Sequence, residues 1–257
     1  MVVALLSLLS NPASAREAFL TPMGAIAGPW ATVTLNDGST VTGKPNAKGK
    51  GLGNIKKITI KSPEGGKVKL TAADVKRIEL EPGKMAKLAT TAAGMGSVSE
   101  MVQQDHSEAF KRNVAIYLPA RYPNGKLLLA QLLNPGMDAM IEVFPDPKGK
   151  ETGGIAVGGV QATGGVLKTY LVRKKGEMDT VLIKKNKADE AWDLLFSDCS
   201  SMKRPEKLGW KDLPAQVRIH QDVCGPKPEP VEAPMDEAEP TVEEDQDDSE
   251  TAQADGE

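Results

Sequence analysis

Apolar and polar residues alternate with a period of two through Trp30–Leu80, the mark of strands buried on one face. Ala31, Val33 and Leu35 fall on one side, Thr32 and Thr34 on the other. Ile58 and Ile60 oppose Lys57, Thr59 and Lys61; Val68 and Leu70 oppose Lys67 and Lys69; Ile78 and Leu80 oppose Arg77 and Glu79. Turn residues punctuate these runs at Asn36-Asp37-Gly38, at Pro63-Glu64-Gly65-Gly66 and over 71–75. The pattern predicts strands ATVTL, STVTG, IKKITIKS, KVKL and VKRIEL, with a Lys/Gly loop after the second. Each strand has an apolar face and a wet, mostly basic one, as in an antiparallel sheet solvated on one side. A small SH3-like or Sm-like barrel over residues 28–84 is the expected outcome.

Past a linker at 81–96 the period changes. Ser97 and Glu100 form a capping-box pair, and Val98, Met101, Val102 and Ala109 recur at helical spacing, predicting a linker helix over 97–112. Strand-like runs return at NVAIYL (113–118), KLLLAQLL (126–133), AMIEVF (139–144), VLKTYLVRK (166–174) and TVLIKK (180–185), a second β subdomain over 113–185. Pro135-Gly136 suits the centre of a type II turn. Residues 145–165 read as a glycine-rich loop, in which Ile155, Val157 and Val160 alternate as in an edge strand. Residues 186–225 read as a helical end. Ala188, Ala191, Trp192 and Leu195 share one helix face, and Leu213, Val217, His220 and Val223 another, with Pro214 in the first turn. The fold class is therefore α+β, mainly antiparallel: a small barrel, a second β subdomain and a short C-terminal helical pair.

Charge changes the picture at the C-terminus. Residues 226–257 hold thirteen acids and one base, so the chain's net charge of −3 divides into −12 there and +9 on residues 1–225. Low hydrophobicity and high charge predict a disordered acidic tail. Opposite charges suggest a loose electrostatic contact of that tail with the basic body. Aromatics are few, three Trp, three Tyr and four Phe, so the cores must be mainly aliphatic.

At the N-terminus, VVALLSLL is followed by Pro12-Ala13-Ser14-Ala15. This pattern reads as a signal peptide over 1–15, too short for the roughly 20 apolar residues a membrane span needs. Export sets the redox context of the two cysteines: a sparse, even count suggests one disulfide, Cys199–Cys224, stabilising by roughly 3 kcal/mol.

Leu132-Leu133-Asn134-Pro135-Gly136, then Ile141-x-Val143-Phe144-x-Asp146-Pro147, Glu151-Thr152 and Lys168-Thr169-Tyr170-x-Val172-x-Lys174 form a distinctive run, and Phe196-Ser197-Asp198-Cys199 with Cys224 closes it. Across residues 28–225 the chain resembles a group of uncharacterised exported bacterial proteins, common in Bacteroidota. That resemblance implies a small β domain followed by this motif region and a cysteine-bearing helical end. It implies no activity and no functional residues.

No catalytic or metal constellation stands out. His106 and His220 lie far apart without a partner at ligand spacing. Asp138, Glu142, Asp146 and Glu151 bracket two turns and supply oxygen ligands of the type calcium takes, but without EF-hand spacing. No G-x-S-x-G motif is present. The glycine runs at Gly43–Gly53 and Gly149–Gly165 lack a P-loop or dinucleotide pattern and read as flexible loops. No cofactor is indicated. Eleven Lys/Arg against four acids between Lys44 and Lys84 make the first module basic. Lys57, Lys61, Lys67, Lys69 and Arg77 on the wet strand faces are the candidate anion-binding residues. An anionic surface or a polysaccharide suits them better than nucleic acid, because the stretch has no aromatics for stacking. The leading reading is a periplasmic or envelope binding or structural module without catalysis. An envelope hydrolase using paired carboxylates is the alternative, and a small-barrel nucleic-acid binder the reading if the chain is not exported.

Overall fold

The computed structural model describes residues 18–20, 22, 28–81, 114–152, 156–157, 160–161 and 166–226. The expected signal peptide, the linker helix over 97–112, His106 and the acidic tail beyond Pro226 lie outside them. Five strands occupy the first module: β1 (Ala31–Leu35), β2 (Thr40–Gly51), β3 (Asn54–Lys61), β4 (Lys67–Thr71) and β5 (Val75–Leu80). Two more, β6 (Ala115–Arg121) and β7 (Leu127–Gln131), complete their sheet. The order is β2-β1-β5-β6-β7-β3-β4, and a further β2–β3 pairing joins the ends into a closed six-strand barrel from which β4 projects. Closure gives each of the six ring strands a neighbour on both sides, while β4 keeps its outer edge unpaired.

The alternation read from the sequence is the inside–outside pattern of this barrel. Val33, Ile58, Ile60, Ile78 and Leu80 are fully buried in one cluster with Tyr117 and Leu129. Local turn chemistry sets the hairpins. Gly38 (φ 87°) and Gly65 (φ 95°) take left-handed positions in the β1–β2 and β3–β4 turns, a conformation that favours glycine. In the β4–β5 turn the Asp74 carboxylate accepts from the Thr71 amide (2.8 Å) and hydroxyl (2.7 Å).

Three expectations for these strands differ from the structure. The Lys/Gly stretch after Gly43 is not a loop: it continues β2, which pairs first with β1 and then along β3. Gly43 is the corner between the two pairings; a Cβ there would sit 2.1 Å from the Lys61 carbonyl oxygen. The strands read as the start of a second subdomain, β6 and β7, instead close the first, because β5 and β3 each need a neighbour on their free edge. Val68, expected inside, is 39% exposed, since β4 pairs with β3 alone and extends past the barrel wall.

The second sheet has the order β14-β13-β8, with β8 at Ile141–Pro145, β13 at Thr169–Lys174 and β14 at Val181–Lys184. Between β8 and β13 lie two-residue strands β9 (Glu151–Thr152), β10 (Ala156–Val157), β11 (Val160–Gln161) and β12 (Val166–Leu167), paired β9–β12 and β10–β11. Helices α1 (Ala191–Phe196) and α2 (Leu213–Cys224) supply Trp192, Leu195, Phe196, Leu213 and Val217 to a core shared with Ile141, Val143, Tyr170 and Val172. Val223 is 51% exposed rather than buried: positions 213, 217, 220 and 224 form the inward stripe, and 223 falls beside it. The Cys199–Cys224 disulfide is formed, with Cα atoms 5.9 Å apart, and ties the residues after α1 to the end of α2. Leu52 reaches from the barrel to the second core. It sits with Gly53 in the two-residue β2–β3 turn, at φ 45° and 70°, a pair of left-handed residues that usually calls for Asn or Gly. The strain is held because the Leu52 side chain packs against the second core. No helix among the described residues is long and apolar enough to cross a membrane.

Candidate anion-binding face

Outward positions of β2, β3 and β4 lie in register. Lys44 pairs with Lys61 and Lys61 with Lys67. The next row is Asn46, Thr59, Lys69, and in the third Lys57 stands opposite Thr71, with Lys48 at the register position on its other side. Strands about 4.8 Å apart and residues about 6.7 Å apart along one face make this a patch roughly 10 by 13 Å. Lys44, Lys57, Lys61, Lys67 and Lys69 are all exposed, while Ile58, Ile60 and Leu70 point into the barrel from the same strands. The register slips between Lys48 and Gly49, which leaves Lys56 as an extra exposed lysine on β3.

Among the described residues, none of the five lysines makes an ion pair, and none of the eight described side chains in the three rows is acidic. The nearest acids in sequence are Glu64, in the β3–β4 turn, and Asp74. Thr71 holds the Asp74 carboxyl below the usual carboxylate range, through its hydroxyl first and its amide second. Like charges directly opposite each other destabilise a sheet. The Lys44–Lys61–Lys67 row therefore works against the fold that carries it.

Four of the five residues singled out from the sequence, Lys57, Lys61, Lys67 and Lys69, come together here. Arg77 does not. It lies on β5, opposite β3 in the barrel ring, and pairs with Glu79 at 2.9 Å. Lys44 and Lys56 were missed. Lys44 sits in a stretch whose glycines and lysines hide a strand, so no alternation marked it.

The distinctive run over 131–174 is architectural instead. Asn134 is fully buried. Its amide donates to the carbonyls of Met137 (2.8 Å) and Ile141 (2.7 Å), and its oxygen accepts from the Val143 amide (2.9 Å), locking the type II turn whose Gly136 has φ 84°. The Asp146 carboxylate accepts from Thr169 Oγ1 (3.0 Å) and the Lys148 amide (2.9 Å). Tyr170 stacks on Trp210 at 4.8 Å. Glu142 forms a buried pair with Arg173 (2.5 Å), which also donates to the Pro119 carbonyl (2.7 Å) and so joins the second sheet to β6.

The calcium reading finds its described oxygens engaged. Asp138 and Glu142 converge on Lys175 at 3.0 and 3.2 Å, and Asp146 is held as above. No group of metal-ligating side chains is found among the described residues. His220 is fully buried on α2, with Nε2 3.1 Å from Asp198 and Phe196 edge-on to its ring; Nδ1 has no partner among the described residues. Burial pushes its pKa down, against the opposing pull of Asp198. Burial pushes Asp198 up, but Lys174 at 2.7 Å and His220 outweigh it, so its carboxyl lies below the usual range. No family model, curated protein or solved structure matches the chain.

Proposed function

We propose that the chain is an exported, non-catalytic anion-binding module of the periplasm or cell envelope, and that the β2–β3–β4 face is its binding surface. The observation that carries this reading is the in-register Lys44–Lys61–Lys67 row, which has no counter-ion among the described residues. Single-signed surfaces attract counter-charged partners and raise their local concentration, whereas soluble surfaces usually intersperse both signs. The disulfide and the N-terminal signal pattern support export. Heparin affinity chromatography at pH 7.4 tests the reading. Replacing Lys57, Lys61, Lys67 and Lys69 together by Gln should move elution to clearly lower salt; elution at the wild-type salt concentration contradicts it.

A further inference from the structure

We infer that the occupant of this face is a linear acidic polysaccharide running along β3, with its anionic units spaced by neutral, hydroxyl-bearing ones. The inference rests on the anion-binding reading above and gives it a ligand class.

Three features of the face select this class. The donors are side chains only. The amides of β3 and those that β2 and β4 direct at it are committed to the ladders, the outer edge of β4 points along the sheet and not out of this face, and side chains stand away from a barrel wall. A compact anion such as free phosphate is held by converging amides in a concavity, and this face offers none. Second, every cation in the rows is lysine. Lysine is a hydrated point charge without the planar fork that reads phosphate bidentately, so it suits diffuse pairing with carboxylates or sulfates on a flexible chain. No aromatic side chain stands in the rows to stack a base, the term that single-stranded nucleic acid binding draws on.

Third, the charge is banded. Lys44, Lys61 and Lys67 form one band, and Lys57 lies about 13 Å further along the strands, four residues at about 3.3 Å each. Between them the middle row offers Asn46 and Thr59, with Lys69 at one side. An amide and a hydroxyl between two cationic bands fit neutral sugar hydroxyls between acidic units. A duplex, with one charge per about 1.7 Å of axis, would place anions over Asn46 and Thr59 as densely as over the lysines.

Titration calorimetry on the full chain tests this with a size series of oligosaccharides in which uronate units alternate with neutral sugars. Inorganic phosphate, vesicles containing anionic lipid, and single- and double-stranded DNA are measured at the same ionic strength. Affinity should rise with oligosaccharide length and level off once the chain spans both bands. For the long oligosaccharide, Lys61→Gln and Lys57→Gln should each weaken binding about fivefold, the effect of one basic residue at an anionic surface. For the shortest, a single band suffices, and Lys57→Gln should leave binding within twofold. Length-independent binding, or tighter binding of DNA or vesicles than of the long oligosaccharide, overturns the polysaccharide inference and leaves the anion-binding reading intact. Failure of every polyanion to bind overturns both.

Discussion

Lys61 stands in register between Lys44 and Lys67, so its ammonium faces a like charge on each side. Lys61→Gln removes both repulsions and keeps a polar, exposed side chain on β3. With splayed stems the ammonium groups lie about 7 Å apart, which in water gives about 0.6 kcal/mol per pair before screening. At 10 mM salt screening is slight, and the two pairs together cost about 0.9 kcal/mol; at 150 mM they cost about 0.5 and at 1 M about 0.1. The substitution should therefore stabilise the protein. For a body of this size the gain is about 2–3 °C in Tm at 10 mM salt, shrinking below half a degree at 1 M. Thermal unfolding followed by far-ultraviolet circular dichroism, wild type against variant across that salt range, reads the effect. A variant no more stable than wild type at low salt, or one whose gain persists undiminished at 1 M, refutes the claim that this row opposes folding electrostatically.

Other parts of the molecule give further expectations. Glu142→Gln leaves the buried Arg173 without its carboxylate and should cost about 3–5 kcal/mol in urea unfolding, while joint replacement of Glu142 by Leu and Arg173 by Met should recover most of that loss. His220 is neutral when buried, so the unfolded chain takes up a proton first: its contribution to stability is full above about 6.5, the ordinary value, and is lost as pH falls toward its lowered folded value. Asp198, Lys174 and the Phe196 ring face it, and Asp198 titrates below its own ordinary 3.8, outside this window. Wild type should thus lose stability between pH 7.5 and 5.5, by at most about 1.4 kcal/mol per pH unit, and His220→Gln should flatten that slope. Replacing both Cys199 and Cys224 by Ser opens a bridge of sequence separation 25 and should lower stability by roughly 3 kcal/mol, read as a Tm drop of about 6–12 °C.

The strand faces were legible because burial imposes a period of two: Ile58, Ile60, Ile78 and Leu80 point inward as their alternation indicates. Strand partners were not legible. Period-two patterning tells which side of a strand is wet and is silent on its neighbour, so the closing role of β6 and β7 and the projection of β4 emerged only from the pairing. The second half of β2 was hidden because Lys44–Gly51 has low strand propensity; its pairing along β3 supplies what local preference lacks. The same blind spot concealed Lys44, and with it the row that makes four scattered lysines into one face. Arg77 shared their alternation, yet alternation could not reveal that β5 lies across the barrel. The run from Asn134 to Lys174 was the most distinctive stretch to the eye. Its residues hold turns, a buried ion pair and an aromatic stack, which explains their specific chemistry without a ligand.

On the proposed function, anion binding belongs to the β2–β3–β4 face and not to the basic body at large. A charge-matched comparison separates the two. One variant replaces Lys57, Lys61, Lys67 and Lys69 by Gln; the other replaces Lys126, Lys184, Lys203 and Lys211, exposed lysines outside β2, β3 and β4, in the same way. Both lose the same charge. Binding to a long acidic polysaccharide, measured by calorimetry across a salt series, should collapse in the first and stay within a fewfold of wild type in the second. The logarithmic salt slope should flatten only in the first. Equal losses in the two variants would contradict the account.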